Sequence, residues 1–143
     1  MANVSTGSAK YEGFGKDGKG HVSTGSGALD NQPYGFKTRF EDEPGTNPEE
    51  LIAAAHASCF TMALSFQLAG KGHSDGTIET TCAVTLEKDG DGFKVSKSAL
   101  SVKGGGDGLD KATFEECAKT AKENCPLSKL LDTEITLETE FTG

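Results

Sequence analysis

Residues 45–72 read GTNPEELIAAAHASCFTMALSFQLAGKG, the longest apolar segment of the chain. Both ends carry helix signals. Asn47 is a good N-cap, Pro48 suits the first helical position where no N–H is needed, and Glu50 stands three residues after the cap, as in a capping box. Gly70 and Gly72 supply the stop. A helix of roughly two dozen residues at about 1.5 Å per residue would run about 35 Å. It is apolar nearly all round, from Leu51 and Ile52 through Phe60, Met62, Leu64 and Phe66 to Leu68, so it is expected to be buried. Glu49, Glu50, His56 and Gln67 interrupt it and argue against a membrane span. Cys59 sits at its centre, where a thiol ordinarily packs as a small hydrophobe.

Working outward, residues 1–44 are glycine-rich and read as short strands joined by turns. Residues 10–13 and 21–24, around DGKG at 17–20, form an expected hairpin. Tyr34, Phe36, Thr38 and Phe40 alternate with Gly35, Lys37, Arg39 and Glu41, predicting a strand with Arg39 on its polar face. The ordinary reading of such an arginine is a solvated one. Downstream of the helix, Ile78, Thr80, Cys82, Val84 and Leu86 alternate with polar residues, so Cys82 faces a core. DGDG at 89–92 is a hairpin turn. Leu100 and Val102 fall on the opposite parity from Phe93 and Val95, which places a bulge near 97–99. KGGGDG at 103–108 reads as a flexible loop. A second helix opens near Asp110, with Thr113 and Glu116 as a capping box, and lines up Phe114, Cys117, Ala118, Ala121 and Cys125 on one face. Pro126 ends it. Ile135, Leu137 and Phe141 belong to a last strand.

This order predicts a single α+β domain over residues 1–143 with largely antiparallel strands. The central helix is too apolar for a small monomer to cover, so dimerisation through it is expected. With 143 residues the chain can build one real core. Its net charge of −8 repels phosphate backbones and argues against nucleic acid. No signal-like apolar segment opens the sequence, and a cytoplasmic location is expected. Four cysteines are not a disulfide scaffold; in a reducing compartment a spaced pair points to catalysis or metal.

Four chemistries compete for these residues. Metal would draw on His56, Cys59 and Cys125, but the paired spacings of a structural zinc site are missing. A Cys–His hydrolase would ask His56 to activate a thiol three residues along the same rigid helix, with nothing to orient it. A binding or structural domain would leave all four thiols inert. Thiol redox needs an ionised cysteine with a cation nearby, for which Arg39 is available, and a second thiol to capture the sulfenic acid. A carboxylate pairing bidentately could hold the guanidinium in place. Composition and spacing permit this last chemistry without selecting it.

GTNPEELIAAAHASCF, with Cys59 ten residues after Glu49, and the downstream NCPLSKLL with Cys125, together resemble the OsmC/Ohr family of organic hydroperoxide reductases. GKGHVSTGSGALDNQPYGFKTRFE at 18–41 is similar to the branch of osmotically inducible protein C. The resemblance runs over essentially the whole chain. It implies an intertwined homodimer, with mostly antiparallel sheets wrapped around two long central helices and two sites at the subunit interface. It implies thiol-dependent reduction of organic hydroperoxides to alcohols, with Cys59 as peroxidatic nucleophile and Cys125 as resolving thiol. Arg39 would stabilise the thiolate and Glu49 would orient Arg39. No bound cofactor or metal is implied; an external dithiol, such as a lipoylated protein, would supply electrons. The runner-up is a stress-induced, non-enzymatic protein of the same fold. One geometric expectation follows from the helix itself. Ten residues place Glu49 and Cys59 about 15 Å apart along the axis, so an antiparallel second copy would have to bring its Glu49 and Arg39 to this Cys59.

Overall fold

A computed structural model describes residues 2–143, whose contacts gather into two compact units that divide after Leu51. The first unit opens with three antiparallel strands in the order β1 (Gly7–Glu12), β2 (Lys19–Thr24), β3 (Gln32–Tyr34). The expected hairpin is there, its turn tightened into a short 3-10 segment at Gly15–Asp17. Tyr11 and Tyr34 both pair with buried Gly20, and their rings meet edge-on at 6.1 Å. A Cβ at Gly20 would come within 2.7 Å of the Tyr34 ring and 2.9 Å of the Tyr11 ring, so only glycine lets the two tyrosines close over the sheet.

The strand expected at 34–40 stops at Tyr34. After Gly35 the chain turns into a one-turn helix, α1 (Phe36–Phe40). Thr38 closes that turn: its hydroxyl accepts from the Gly35 N–H at 2.8 Å and donates to the Gly35 carbonyl at 3.0 Å. The alternation misleads because Phe36 and Phe40 satisfy the helical i, i+4 spacing as well as the strand parity, and their rings pack at 5.0 Å.

The long helix is α2 (Pro48–Gly70). Its predicted cap holds, the Asn47 side chain accepting from the Glu50 N–H at 2.8 Å. The Glu50 carboxylate accepts from the Thr46 hydroxyl at 2.7 Å. The other end is a Schellman turn. Gly72 takes a positive φ of 91°, the His73 N–H donates to the Leu68 carbonyl at 3.1 Å, and the Gly72 N–H donates to that of Ala69 at 3.0 Å.

The second unit continues into a sheet ordered β4 (Gly76–Asp89), β5 (Gly92–Gly106), β6 (Glu134–Phe141). β4 and β5 pair antiparallel through the DGDG turn. β5 and β6 run parallel, which requires a crossover, and the crossover is made by α3 (Lys111–Asn124) and α4 (Pro126–Leu130). The bulge lies at Ser96, one residue before its expected place: Thr85 pairs with Lys97, but Leu86 pairs with Val95. It switches parity and turns Ser98, Leu100 and Val102 to the buried face. The loop expected at 103–108 is instead strand as far as Gly106. Its glycines lie close against β4, and a Cβ at Gly104 would clash with the Thr77 carbonyl and Ile78. The cap of α3 is Asp110, whose carboxylate accepts from the Thr113 N–H at 2.7 Å; the Thr113–Glu116 box is not used.

The core joins Phe60, Leu64 and Leu68 of α2, Leu100 and Val102 of β5, Phe114, Cys117, Ala118 and Ala121 of α3, and Cys125. The amphipathic face expected for α3 is thus borne out. For α2 the expectation of full burial is not met within one chain. His56, Phe60, Leu64 and Leu68 are buried, whereas Met62 and Phe66 are 64% and 70% exposed. Nor do its charges by themselves argue against a membrane span. Glu49 and Glu50 sit in the first turn, and an 18-residue window of α2 reaches a mean hydropathy of 1.4, long and apolar enough to cross. What ties α2 to protein is its buried face.

Candidate active site

Cys59 lies on the rim of the core, half-buried, on α2. Cys125 is fully buried at the joint between α3 and α4. Its backbone, at φ −58° and ψ 129°, leaves the helical region because Pro126 excludes that conformation from the residue before it. The joint stays hydrogen-bonded on both sides: the Cys125 N–H donates to Ala121 at 2.9 Å and its carbonyl accepts from Lys129 at 3.1 Å. The fold packs Cys59 against the core that contains Cys125, near enough for the two thiols, far apart in sequence, to influence each other's ionisation, and both are free. Burial pushes the Cys59 thiol above its ordinary range, the Cys125 hydrogen bond adds to the rise, and the backbone N–H of Leu127 pulls the other way. A thiol in this setting needs a cation to ionise readily at neutral pH.

Arg39 and Glu49 form a second pair, in the first unit. Arg39 Nε donates to Glu49 Oε1 and Nη2 to Oε2, both at 2.8 Å, a bidentate fork of the kind that fixes a guanidinium plane. The Arg39 guanidinium also lies over the Phe40 ring, 5.5 Å from its centroid. The Glu49 side chain is 12% exposed, so the fork is held in a partly desolvated setting. Tyr11, Tyr34, Phe36, Phe40 and Pro48 line a cavity of about 420 Å³ that includes Arg39.

The remaining thiols pack. Cys117 is in the core, and Cys82 stands half-buried with its sulfur 3.2 Å from the Ser98 hydroxyl. His56 is buried; its Nδ1 meets Ser98 Oγ at 2.6 Å and its Nε2 meets Ser128 Oγ at 2.8 Å. Burial lowers its pKa, so it stays neutral, donating through one nitrogen and accepting through the other. Among the described residues no three His, Cys, Asp or Glu side chains gather as a metal set would. Sequence reasoning missed the serine partners of His56. The signal was parity: His56 lies four residues before Phe60 on the buried face of α2, and Ser98 shares the parity of Leu100 and Val102 on β5.

Residues 40–140 match the family described as OsmC-like protein. The chain belongs to the OsmC family. It is 52% identical over 132 residues to Peroxiredoxin OsmC of Escherichia coli, covering 92% of each chain. It is 31% identical over 112 residues to organic hydroperoxide resistance protein OhrB of Bacillus subtilis, covering 77% of this chain and 79% of that one. A solved organic hydroperoxide resistance protein OsmC from Legionella pneumophila aligns at TM-score 0.67 with 26% identity, over 99% of this chain and all of the other. The α+β fold is thus that of the family.

Proposed function

We propose that the chain reduces organic hydroperoxides to alcohols with Cys59 as the peroxidatic sulfur and Cys125 as the resolving one. By family and by its named relatives it is a cysteine-based peroxidase. The observation that supports the residue roles is that Cys59 packs against the core that holds Cys125 at the α3–α4 joint. The Cys59 thiolate attacks the terminal peroxide oxygen, the O–O bond breaks, and the departing alkoxide takes a proton and leaves as the alcohol. The sulfur, now a sulfenic acid, has lost two electrons. The Cys125 sulfur then attacks it, an S–S bond forms, and the hydroxyl leaves as water. An external dithiol, a lipoylated protein in the expected case, returns two electrons and two protons. The sulfur itself carries the electrons in this scheme, so no bound cofactor takes part.

Ionising Cys59 against its burial calls for Arg39, fixed by Glu49. Glu49 stands about 15 Å from Cys59 along the axis of α2, so the supply comes from a second copy packed antiparallel on this helix. The exposed Met62 and Phe66 and the small residues Ala54, Ala57, Ser58 and Ser65 beside them suit such a face. The enzyme is then an intertwined homodimer with two equivalent sites, each shared between chains. The aromatic cavity beside Arg39 suits an apolar peroxide tail better than hydrogen peroxide. Residues 1–143 act as one functional domain, and a cytoplasmic setting suits thiols that must be re-reduced.

The test is peroxide consumption with dithiothreitol or dihydrolipoamide, together with thiol counting. Hydroperoxide should remove two free thiols, and the linked peptides should contain Cys59 and Cys125. A bond mapped to Cys82 or Cys117 would overturn the roles. A protein that consumes no peroxide would be a binding protein of the same fold.

A further inference from the structure

Resting on that reading, we infer that His56 is a positioning residue: through Ser128 it holds α4 so that Cys125 faces the Cys59 sulfur. Cys125 and Pro126 form a joint at which the helical path is broken. Two backbone hydrogen bonds hold the joint along the chain, but neither fixes α4 against α2. The polar tie between those two helices is His56 Nε2 with Ser128 Oγ, at 2.8 Å. His56 stands three residues before Cys59 on the same rigid helix, and Ser128 three residues after Cys125. One hydrogen bond therefore sets the separation of the two segments that carry the sulfurs.

The other ring nitrogen anchors the histidine to the sheet. Nδ1 meets Ser98 Oγ of β5 at 2.6 Å, and Ser98 in turn meets the Cys82 sulfur at 3.2 Å. His56 and Ser98 are each wholly buried, and both ring nitrogens are engaged. Phenylalanine or leucine would fill this core position but leave the Ser98 and Ser128 hydroxyls without their shared partner, so the imidazole supplies direction as well as volume.

The step at stake is closure: the Cys59–SOH sulfur takes the Cys125 sulfur, water leaves, and no further oxidant is needed. Its rate is read under single turnover, from sulfenic acid already formed by one equivalent of cumene hydroperoxide, by following loss of the trappable sulfenic acid. Ser128→Ala removes one hydroxyl from a half-buried site and should slow closure about threefold to tenfold, the factor belonging to one net hydrogen bond. Ser128→Thr should restore it, and the thermal midpoint of Ser128→Ala should fall by no more than the few degrees that one net hydrogen bond is worth. His56→Gln, which reaches one serine but not both, should slow closure likewise. Wild-type closure in Ser128→Ala overturns the inference, as does slow closure that threonine does not restore. If the parent protein itself forms no Cys59–Cys125 bond, the functional reading fails first, and the two failures are told apart.

Discussion

Glu49→Gln keeps the volume of the side chain and removes the charge that holds Arg39. In the parent chain the guanidinium makes two charge-assisted bonds to Glu49, both at 2.8 Å. Bonds of this type contribute about 1.5–3 kcal/mol each when screened little. The Arg39 side chain is 35% exposed, and solvent reduces the figure. Glutamine still accepts one N–H, and the Phe40 ring, 5.5 Å away, still supports the guanidinium face. The net loss of orientation is then about 1–2 kcal/mol, which corresponds to a factor of about 5–30. We expect kcat/KM for cumene hydroperoxide to fall by that factor, because in the proposed scheme Arg39 serves the thiolate and the charge developing on the peroxide. A cation beside a thiol favours the thiolate, so loosening it raises the Cys59 pKa. The rising limb of the pH–rate profile should move to higher pH, and iodoacetamide alkylation of Cys59 should move with it. Urea unfolding runs in parallel to separate activity from stability. An unchanged kcat/KM and alkylation profile, with the variant folded, would refute the role given to the fork.

Complementation tests the shared site: inactive Cys59→Ser protein, exchanged with inactive Arg39→Ala, Glu49→Ala protein, should recover one intact site per heterodimer, whereas a fully exchanged mixture that stays inactive would exclude it. His56 predicts a pH dependence of stability. Its folded pKa lies below the ordinary 6.5, so the unfolded chain binds the extra proton first. The stability is fully present above 6.5 and is lost as pH falls towards the folded pKa, with a limiting slope of about 1.4 kcal/mol per pH unit for one proton. Unfolding free energies of the parent protein and His56→Gln, from urea curves between about pH 5 and about pH 7.5, should change with pH at different rates, the parent losing more stability as pH falls, by at most that slope; equal slopes would place the proton elsewhere.

Much of this molecule was legible from short-range signals. The Asn47 cap, Pro48 and the Gly72 stop delimit α2 within the sequence because each acts on backbone groups a few residues away. The face of α3 and the alternation of β4 follow from fixed periods in the same way. Parity failed where one pattern satisfies two periods, at Phe36 and Phe40, and where glycines make a strand look like a loop, at 103–106. The sequence also named the four residues of the candidate site, through a motif resemblance. Only the tertiary structure decided that Cys59 and Cys125 share one core, that Arg39 forks onto Glu49, and that a buried histidine ties α2 to β5 and α4. Each of these joins residues whose separation in space is set by how the chain packs. No local period encodes those distances; for the thiols and the histidine they appear once the core around Phe60 and Phe114 has closed.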